Sequence, residues 1–545
     1  MVPSKYQQAI IDWALNGTGN ATCRAVAGAG KSSTLKMVGM ALVESGKYRE
    51  EEIRLLVFGN QNAKDLSQKF PRSWTNSIST INACGWRILR NHLGIVNPRS
   101  AKIDSWKYQT ITRNHNIPLH KILEKSKDFK RLLDLVRLTK TDYTKPDQVA
   151  QLCRDYNINL KAGEMLEELT YHLSQVVTTG IKSAQRENLF DFVDQIFLPI
   201  YWDKLHQKEP DRYQPVDFPQ FPFVMVDECQ DLSPLQLDLV KRIGKRLLFV
   251  GDPYQAIMGF AGADSNSYHN ILHQTKAQEF PLSICYRCPT THIEAVKLVT
   301  KVKEIEGIKP TTDTAQIKIV HPKNLKQEIQ LNDVIIARRT APLVQLCISL
   351  ICQDIHAVVK GKDIGESLKE EIKLVTSLNG YYWQAFLRYL EIYYRVKCDK
   401  YLDLDNGEEM IEELADKISA IRSIYLAKPF EDEKAMLDYL DSLFTEDTNA
   451  KVTLYTVHRC KGMENHRVMI IEPEKMPLMW KNQKDWQLEQ EENLLYVALT
   501  RATQELIISH DPRNPAPWVQ SIQDKIVAKH EKSNQLKKKE LCLEP

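Results

Sequence analysis

Six short apolar runs restrict the folds open to this chain of 545 residues. They are IRLLVFG (53–59), FPFVMVDE (221–228), RLLFVGD (246–252), DVIIARR (333–339), RVMIIEP (467–473) and ELIISH (505–510). Apolar runs without alternation are typical of strands buried on both faces, and helical patterns such as 64–70 and 292–302 lie between them. The sequence therefore predicts an α/β fold with parallel sheets and ligands at the carboxyl ends of the strands.

Two long stretches without such runs have a mostly helical pattern and divide the chain further. We predict two α/β domains, each carrying a helical insertion. The predicted first domain covers 1–95 and 216–280 with its insertion at 96–215; the second covers 281–364 and 449–515 with a small insertion at 365–448; a basic tail covers 516–545.

The formal net charge of +3 is nearly balanced, so a nucleic-acid partner has to be held by local charge. Residues 101–145 contain eleven Lys or Arg and five Asp or Glu. This basic segment is either a solvated helix face or a contact to a phosphate backbone. The tail from Lys525 to Lys539 is also basic and is expected to be frayed and solvated.

The sequence contains neither a signal peptide pattern nor a run of about 18 apolar residues. We therefore expect an intracellular, cytoplasmic protein without a membrane partner, associated with the nucleoid if it is bacterial or from a phage. Its eleven cysteines are an odd number and scattered, which argues against a disulfide framework. Cys285 and Cys288 form one CxxC pair, but a zinc site is disfavoured because a second pair is absent.

The stretch AVAGAGKSS (25–33) follows a predicted strand, CRAVA, and opens a predicted helix, SSTLKMVGMAL. Gly28 and Gly30 allow a tight loop whose backbone N–H groups cradle phosphates, Lys31 would reach the β and γ phosphates, and Ser32 would hold Mg²⁺. The first glycine of the GxxxxGK[ST] pattern is replaced by Ala25, so a chance glycine-rich turn is the alternative.

Two adjacent carboxylates, Asp227 and Glu228, follow the apolar run FPFVMV. Asp227 can bind Mg²⁺ through water while Glu228 orients and deprotonates an attacking water. Gln255 of GDPYQ closes the next strand, where its amide could sense a γ-phosphate, although GDP is also a common turn tripeptide. Together with the glycine-rich loop, these residues predict a phosphohydrolase.

Eight sequence blocks in this order resemble the superfamily 1 helicases of the UvrD, Rep and PcrA type, and the resemblance extends over most of the chain. The blocks are KYQQAI, AVAGAGKS, LVFGNQNAKDL, VDECQDLSPLQ, GDPYQAIMGFAGAD, ICYRCP, TVHRCKGMENHRV and NLLYVALTRAT. The compact second insertion resembles the shorter branch that includes the F-box DNA helicases, although an F-box is not found. The resemblance implies two RecA-like P-loop domains that bind ATP and Mg²⁺.

The resemblance also implies roles for individual residues in nucleotide handling. Gln7 would recognise the adenine edge, Tyr286 would stack on the base, and Glu464 would accept a hydrogen bond from the ribose. Arg287 and Arg501 would bind the γ-phosphate, with a surface salt bridge as the alternative for either one. The implied nucleotide-binding set is Gln7, Ala27, Gly28, Ala29, Gly30, Lys31, Ser32, Ser33, Tyr286, Arg287, Glu464 and Arg501. The implied catalytic set is Lys31, Asp227, Glu228, Gln255, Arg287 and Arg501, with Ser32 and Asp227 on the metal.

Polar and aromatic positions of the same blocks match family positions that face a DNA single strand, where bases stack on aromatic side chains. The implied DNA-binding residues are Phe58, Asn60, Thr80, Asn82, Phe260, Thr456 and His458. Phe58 could instead belong to the core, and His458 could be an interior histidine. The chain departs from the family at Ala261, where an arginine is usual, and at Ile81 and Asn82, where phenylalanine and histidine are usual. Because these departures lie at positions that face the DNA strand, we expect ATP hydrolysis more firmly than efficient movement along DNA.

The leading hypothesis is an ATP-driven motor with 3′ to 5′ polarity on single-stranded DNA and at single-strand/duplex junctions, acting in repair, recombination or replication. The alternative is a DNA-stimulated ATPase that strips proteins from DNA with little unwinding. A helicase-nuclease is disfavoured because only 44 residues follow Arg501, and a kinase or GTPase has no need of the LTRAT block. RNA as the bound strand stays open, as do the protein partners.

Overall fold

The computed structural model describes residues 2–123, 128–161, 165–257, 259, 267–310, 316–402, 404, 406–445 and 450–528. The chain divides into two compact units. The first unit consists of Met1–Ala25 and Gly30–Ser283, and the second of Val26–Ala29 and Ile284–Pro545.

A six-stranded sheet with strand order β3-β2-β6-β7-β1-β8 organises the first unit, and each of its strand pairs is parallel. The strands of this unit are β1 Ala21–Ala25, β2 Ile53–Val57, β3 Ile78–Thr80, β4 Lys102–Ile103, β5 Leu189–Phe190, β6 Phe223–Asp227, β7 Leu247–Gly251 and β8 Gln278–Leu282. Every residue of β2, β6 and β7 is buried, which confirms the prediction that these three apolar runs are interior parallel strands.

The helices of the first unit flank this sheet and fill the chain between β3 and β6. They are α1 Lys5–Asn16, α2 Lys31–Glu44, α3 Asn60–Lys69, α4 Ile81–His92, α5 Lys107–Asn114, α6 Leu119–Ile122, α7 Asp128–Leu138, α8 Pro146–Asp155, α9 Met165–Glu187, α10 Asp194–Lys208, α11 Pro234–Ile243 and α12 Ser267–Thr275. The segment from α4 to α10 shares one apolar core with α11 and with sheet residues such as Leu56, Val226 and Phe249, and β4 and β5 form a two-stranded parallel pair within the segment.

Part of the basic segment 101–145 is neither a solvated face nor a phosphate contact. Lys107 and Arg137 are fully buried, and they pair with two aspartates about 50 to 90 residues further along the chain. Lys107 Nζ lies 2.6 Å from Asp194 Oδ2, and Arg137 Nη2 lies 2.7 Å from Asp191 Oδ2. The expectation for these two residues was wrong because tertiary pairing moves their charges into the interior.

This buried ion network joins three helices at the start of α10. Arg137 Nη1 also lies 2.9 Å from Asp194 Oδ1, which accepts a hydrogen bond from the Tyr108 hydroxyl at 2.9 Å. The backbone N–H of Asp194 donates to Asp191 Oδ1 at 2.8 Å. Burial raises the pKa of Asp191, but the charge and hydrogen bonds of Arg137 outweigh it, so its pKa is lowered overall. Burial, followed by the charge of Asp191, raises the pKa of Asp194, although Lys107 and Arg137 act in the opposite direction. Two cations and two carboxylates thus share one buried network.

A second six-stranded sheet, with strand order β11-β16-β15-β12-β14-β13, organises the second unit, and its strand pairs are also parallel. The strands of this unit are β9 Ile284–Pro289, β10 Glu306–Lys309, β11 Ile317–Val320, β12 Val334–Ala337, β13 Ala357–Val359, β14 Val452–Thr456, β15 Asn465–Ile470 and β16 Ala502–Ser509. The predicted strands at 333–339, 467–473 and 505–510 are confirmed by β12, β15 and β16.

The helices of the second unit include a group of four between β13 and β14. They are α13 Thr290–Val299, α14 Leu325–Glu328, α15 Ala341–Ile351, α16 Lys362–Thr376, α17 Phe386–Tyr401, α18 Gly407–Ala427, α19 Glu433–Leu443 and α20 Asp485–Leu499. Helices α16 to α19 share an apolar core with α15 and the adjacent sheet. Within the described ranges, none of the helices has the length and apolarity needed to cross a membrane.

Candidate functional site

The glycine-rich loop joins β1 to α2, two elements of the first unit, and its residues Val26–Ala29 are grouped with the second unit. Gly28 and Gly30 have φ angles of 67° and 77°, in the left-handed region that favours glycine. Gly30 is the N-cap residue of α2 and offers no side chain to the first-turn N–H groups. Helix α2 therefore begins with backbone donors directed to the loop, which is the arrangement that binds phosphate. Ala27 and Ala29 are buried in this loop, and Ser32 and Ser33 are half-buried in the first turn of α2.

Lys31, the first residue of α2, pairs with the acidic end of β6. Its Nζ lies 3.2 Å from Glu228 Oε1. Glu228 itself has a φ of 53°, a conformation that is uncommon for a residue with a side chain and that turns the chain sharply where β6 ends. Burial lowers the pKa of Lys31, but the charges of Glu228, Asp252 and Asp227 outweigh it and the pKa is raised overall. The lysine is therefore held as a cation beside the loop.

Asp227 is the last residue of β6 and is buried next to a second carboxylate. Burial, followed by the charge of Glu228, raises its pKa to about 7, and the attraction of Lys31 does not compensate. Lys69 adds the smallest contribution. Because the charge of Lys31 does not offset burial and the charge of Glu228 at Asp227, the residues present fit a divalent cation, which would relieve the repulsion between the two acids.

Gln230 is a site residue that the sequence reasoning missed. Its Nε2 donates to Glu228 Oε2 at 2.7 Å, and its Oε1 accepts the backbone N–H of Asp252 at 3.0 Å. Asp252 Oδ2 in turn accepts a hydrogen bond from Gln255 Nε2 at 2.7 Å. A Cβ at Gly251 would lie 2.5 Å from Gln230 Oε1, so only glycine leaves room for this amide. The candidate base Glu228 and the candidate sensor Gln255 are thus joined through two buried side chains.

Gln7 lies beside the same loop, but its amide is already engaged. Its Oε1 accepts the backbone N–H of Ser4 at 2.9 Å in a capping box at the start of α1. Its Nε2 donates to Thr34 Oγ1 of α2 at 3.1 Å. Recognition of an adenine by Gln7 would exchange at least one of these hydrogen bonds.

In the second unit, the predicted nucleotide-binding residues Arg287 and Glu464 bind each other. Arg287 Nε donates to Glu464 Oε2 at 2.5 Å, and Arg287 Nη1 donates to the carbonyl of Thr500 at 3.4 Å. Tyr286, which precedes the arginine on β9, has 42% of its residue surface exposed. The Tyr286 ring and the Arg287 side chain that pairs with Glu464 therefore belong to adjacent residues of β9.

Arg501 is fully buried at the end of α20, where it binds the backbone of its own unit. Its Nε donates to the carbonyl of Val497 at 2.9 Å and its Nη1 to the carbonyl of Met463 at 3.1 Å. Burial, followed by the charge of Arg287, lowers the pKa of Arg501. The two predicted arginines are thus close enough to repel each other.

Two of the predicted DNA-binding residues of the first unit, Thr80 and Asn82, have local structural partners. Thr80 Oγ1 accepts the N–H of Ala83 at 3.0 Å and caps α4. Asn82 Nδ2 donates to the carbonyl of Phe192 at 2.9 Å. Phe58 is half-buried after β2, and Asn60 is exposed at the start of α3. Phe260 and Ala261 lie outside the described residues.

The remaining predicted DNA-binding residues follow β14 in the second unit. Thr456 is buried at the end of this strand. Burial, followed by the charges of Arg338 and Arg459, lowers the pKa of His458 to about 3. At neutral pH the His458 ring is uncharged, so a contact with a phosphate would rest on hydrogen bonding and not on charge.

The profile of the UvrD/REP helicase N-terminal domain matches residues 6–276, which include the loop, the acids of β6 and Gln255. Residues 6–276 of this chain thus carry the UvrD/REP helicase N-terminal domain, and its curated relatives include proteins named Rep, DNA helicase II and F-box DNA helicase. The expectation drawn from the eight sequence blocks is therefore confirmed at the level of the family.

Curated relatives of this UvrD-like chain differ in how much of it they match. The ATP-dependent DNA helicase Rep of Buchnera aphidicola subsp. Schizaphis graminum is 24% identical over 45% of this chain and 36% of its own length. A probable DNA helicase II homolog of Mycoplasma capricolum is 22% identical over 89% of this chain and 81% of its own length. F-box DNA helicase protein 1 of Schizosaccharomyces pombe is 24% identical over 59% of this chain and 37% of its own length. The matched region thus spans about a third of the Rep and F-box relatives.

Proposed function

We propose that this UvrD-like chain hydrolyses ATP and uses the energy to move 3′ to 5′ along single-stranded DNA, separating duplex at junctions. The observation that carries the proposal is the 3.2 Å pair of Lys31 and Glu228 at a helix start, beside the second acid Asp227. A helix N-terminus, a lysine and two carboxylates at one strand end are what phosphoryl transfer to water requires. The match to the UvrD/REP helicase N-terminal domain supports the choice of DNA as the track.

The proposal gives each residue of the first unit a defined task. The loop N–H groups and Lys31 bind the phosphates, Glu228 orients and deprotonates the attacking water, and Gln255 senses the γ-phosphate. Ser32 and Asp227 would hold Mg²⁺, whose positive charge neutralises the acids and the phosphates. In the second unit, Tyr286 and Glu464 would bind base and ribose, and Arg287 and Arg501 would bind the γ-phosphate.

The proposed domains follow the two parallel sheets. We assign both sheets as RecA-like cores, with helical insertions at 96–215 and 365–448. We assign contacts with the DNA single strand to the polar and aromatic residues Phe58, Asn60, Thr80, Asn82, Phe260, Thr456 and His458. Since Thr80 and Asn82 already have local partners, DNA contact at these two positions would accompany a change of hydrogen bonding.

The test is the ATPase rate of wild type and Glu228→Gln with no nucleic acid, with single-stranded DNA and with single-stranded RNA. We expect strong stimulation by DNA, and loss of hydrolysis in the variant with retained ATP binding, because the amide cannot accept the proton. Glu51→Gln, at an exposed position, is the matched control and should keep the wild-type rate. A wild-type rate that is equal with and without nucleic acid would remove the basis of the motor.

A second candidate function is a DNA-stimulated ATPase that strips proteins from DNA with little unwinding. The observation that favours it is the side chain of Asn82, which is bound to the carbonyl of Phe192 at a position where the family usually places a histidine facing the strand. Strand displacement and removal of a bound protein, measured on one preparation, separate the two functions. Protein removal without strand displacement would favour the second.

A further inference from the structure

Cys285 and Cys288 form the CxxC pair for which the sequence disfavours a zinc site. They lie in β9, where the register of pairing with β10 shifts. Opposite Cys285 on β10 stands Gly307, and opposite Pro289 stands Lys309. Four steps along β9 therefore match two steps along β10, so β9 contains a bulge of two surplus residues. The surplus falls on the segment 286–288, between the two register points.

This bulge brings two thiols together that a regular strand would separate. In a regular strand, residues three apart project to opposite faces and lie about 10 Å from each other, beyond the reach of a disulfide. Here the backbone N–H of Cys288 points at Cys285 Sγ at 3.4 Å, and the Cys288 thiol donates to the carbonyl of Thr500 at 3.5 Å. Both cysteines are fully buried.

The surroundings of Cys285 favour its thiolate. The Cys288 thiol, the backbone N–H groups of Cys288 and Arg287, and the Arg287 charge together lower the pKa of Cys285 to about 7, although burial acts in the opposite direction. By contrast, burial raises the pKa of Cys347 to about 12 and of Cys460 to about 11. The pKa of Cys288 is raised by its hydrogen bond to Cys285 and by burial. One thiol is thus prepared as a nucleophile and its neighbour retains the proton.

We propose that Cys285 and Cys288 form a reversible disulfide when the protein meets hydrogen peroxide, and that this disulfide lowers ATP hydrolysis. The second half of the proposal rests on the function proposed above. We expect the disulfide to lower hydrolysis because Tyr286 and Arg287 lie between the two cysteines. The proposed function assigns these two residues to the base and the γ-phosphate of ATP. A disulfide brings the sulfurs to about 2.05 Å and fixes the bulge that presents both side chains.

The chemistry balances in two steps. The Cys285 thiolate attacks one oxygen of hydrogen peroxide, the O–O bond breaks and hydroxide leaves, giving a sulfenic acid. The Cys288 sulfur then attacks the Cys285 sulfur, the S–O bond breaks, and the hydroxyl leaves as water with the proton of Cys288. Both sulfurs are oxidised, and the peroxide is reduced to two waters once the released hydroxide takes up the proton that the Cys285 thiol gave to the solvent. A dithiol reductant reverses the reaction by thiol–disulfide exchange.

The first test maps thiols in the full-length protein and needs no nucleotide. The protein is treated with hydrogen peroxide, free thiols are alkylated after unfolding, and the peptide containing 285–288 is weighed. We expect a loss of about 2 Da without alkylation at either cysteine, restored by dithiothreitol. In Cys288→Ser the expected product is a sulfenic acid at Cys285 that dimedone captures. Cys352→Ser, which removes an exposed thiol, is the matched control and should still form the disulfide.

The second test compares the DNA-stimulated ATPase of reduced, oxidised and re-reduced protein. We expect a loss of rate on oxidation that dithiothreitol restores in wild type and in Cys352→Ser, but no change in Cys285→Ser/Cys288→Ser. Alkylation of both Cys285 and Cys288 after peroxide treatment would show that no disulfide forms and would overturn that half of the proposal. A disulfide with an unchanged ATPase rate would overturn the inhibition. If even the reduced protein lacks DNA-stimulated hydrolysis, the proposed function fails, and the thiol map still decides the disulfide.

Discussion

Two groups of buried charges in the first unit use the same residue types but differ in how the charges balance. In the helical segment between β3 and β6, the buried cations Lys107 and Arg137 face the carboxylates of Asp191 and Asp194. Each charge has an opposite partner within 3 Å, so the positive and negative charges match. The role of such a group is to hold its helices in one arrangement.

The second group lies at the ends of β6 and β7, and we call it the unbalanced group because the charge of Lys31 does not offset burial and Glu228 at Asp227. Lys31 interacts with the carboxylates of Glu228, Asp252 and Asp227. The repulsion is visible in Asp227, whose pKa is raised to about 7 by burial and by Glu228. A folded protein tolerates such an imbalance where a ligand supplies the missing charge. Burial alone does not separate the two groups, because burial and a neighbouring acid raise the pKa of Asp194 as well as that of Asp227. What differs is that two cations lie within 3 Å of Asp194, whereas Lys31 pairs with Glu228 beside Asp227.

The largest expected effect is on stability, from a change in the balanced group. Asp194→Ala leaves Lys107 and Arg137 buried with one carboxylate between them, which should lower the free energy of unfolding by about 3 to 5 kcal/mol. Denaturant unfolding of the nucleotide-free protein measures the loss. The matched control is Asp134→Ala, at the partly exposed edge of the same network. A loss no larger than that of the control would mean that the network does not hold the segment.

The next effect is on hydrolysis, from the unbalanced group. Lys31→Met removes the cation that would bind the β and γ phosphates, so kcat for ATP should fall by about 10²- to 10³-fold. The unfolding free energy should change less than in Asp194→Ala, because Lys31 is partly solvated. The exposed Lys36 of the same helix provides the control variant Lys36→Met. Comparable hydrolysis by the two variants would contradict the assignment of Lys31.

The two groups also differ in how far the sequence could predict them. The loop and the acids of β6 were predictable because each is a contiguous motif at the end of an apolar run, and parallel strands bring such ends to one edge. The balanced group was not predictable, because Lys107 and Asp194 are 87 residues apart and their pairing depends on how α5 and α10 pack. A charge count over 101–145 could not separate buried from solvated lysines.

The same limit applies within the candidate site. Gln230 stands inside the block VDECQD, but its partner Asp252 is 22 residues away, so no local spacing connects the two. The bulge that joins Cys285 to Cys288 depends on pairing with β10, which a lone CxxC does not reveal. Local motifs therefore predict which residues carry the chemistry, whereas tertiary contacts decide which residues position them.

A smaller effect links the unbalanced group to pH. The pKa of Asp227 is about 7 in the folded protein and has an ordinary value of 3.8. At pH values between these two, the folded protein therefore binds the Asp227 proton more tightly than the unfolded chain does. The contribution of this group to stability is therefore present at low pH and is lost as pH rises toward 7. Asp227→Asn removes this loss, so the nucleotide-free variant should gain on the order of 4 kcal/mol over wild type at pH 8 and little at pH 4.

Thermal unfolding of wild type and Asp227→Asn across this pH range measures the difference, with the exposed Asp65→Asn as control. Adding Mg²⁺ at pH 8 should stabilise wild type and not Asp227→Asn, since the carboxylate that favours the cation is missing. A pH-independent difference between the two proteins would mean that Asp227 is ionised throughout and that the site is not short of positive charge.

The smallest effect concerns Gln230, which touches the unbalanced group without carrying charge. Its amide fixes Glu228 Oε2 and the backbone of Asp252, and Asp252 holds Gln255. Gln230→Leu keeps the volume of the side chain but removes both hydrogen bonds. We expect kcat for ATP to fall about tenfold with KM nearly unchanged, because the orientation of the base matters for the attack on the phosphate and not for nucleotide binding.

A merely structural role for Gln230 would predict a different pattern, which a double-mutant cycle can detect. If Gln230 and Gln255 act through the shared Asp252, then Gln230→Leu combined with Gln255→Ala should cost less than the product of the single losses in kcat. The exposed Gln61→Leu is the control and should combine with Gln255→Ala by simple multiplication. Independent losses for Gln230 and Gln255 would mean that base and sensor are positioned separately, and the unbalanced group would then be two sites that share a strand edge.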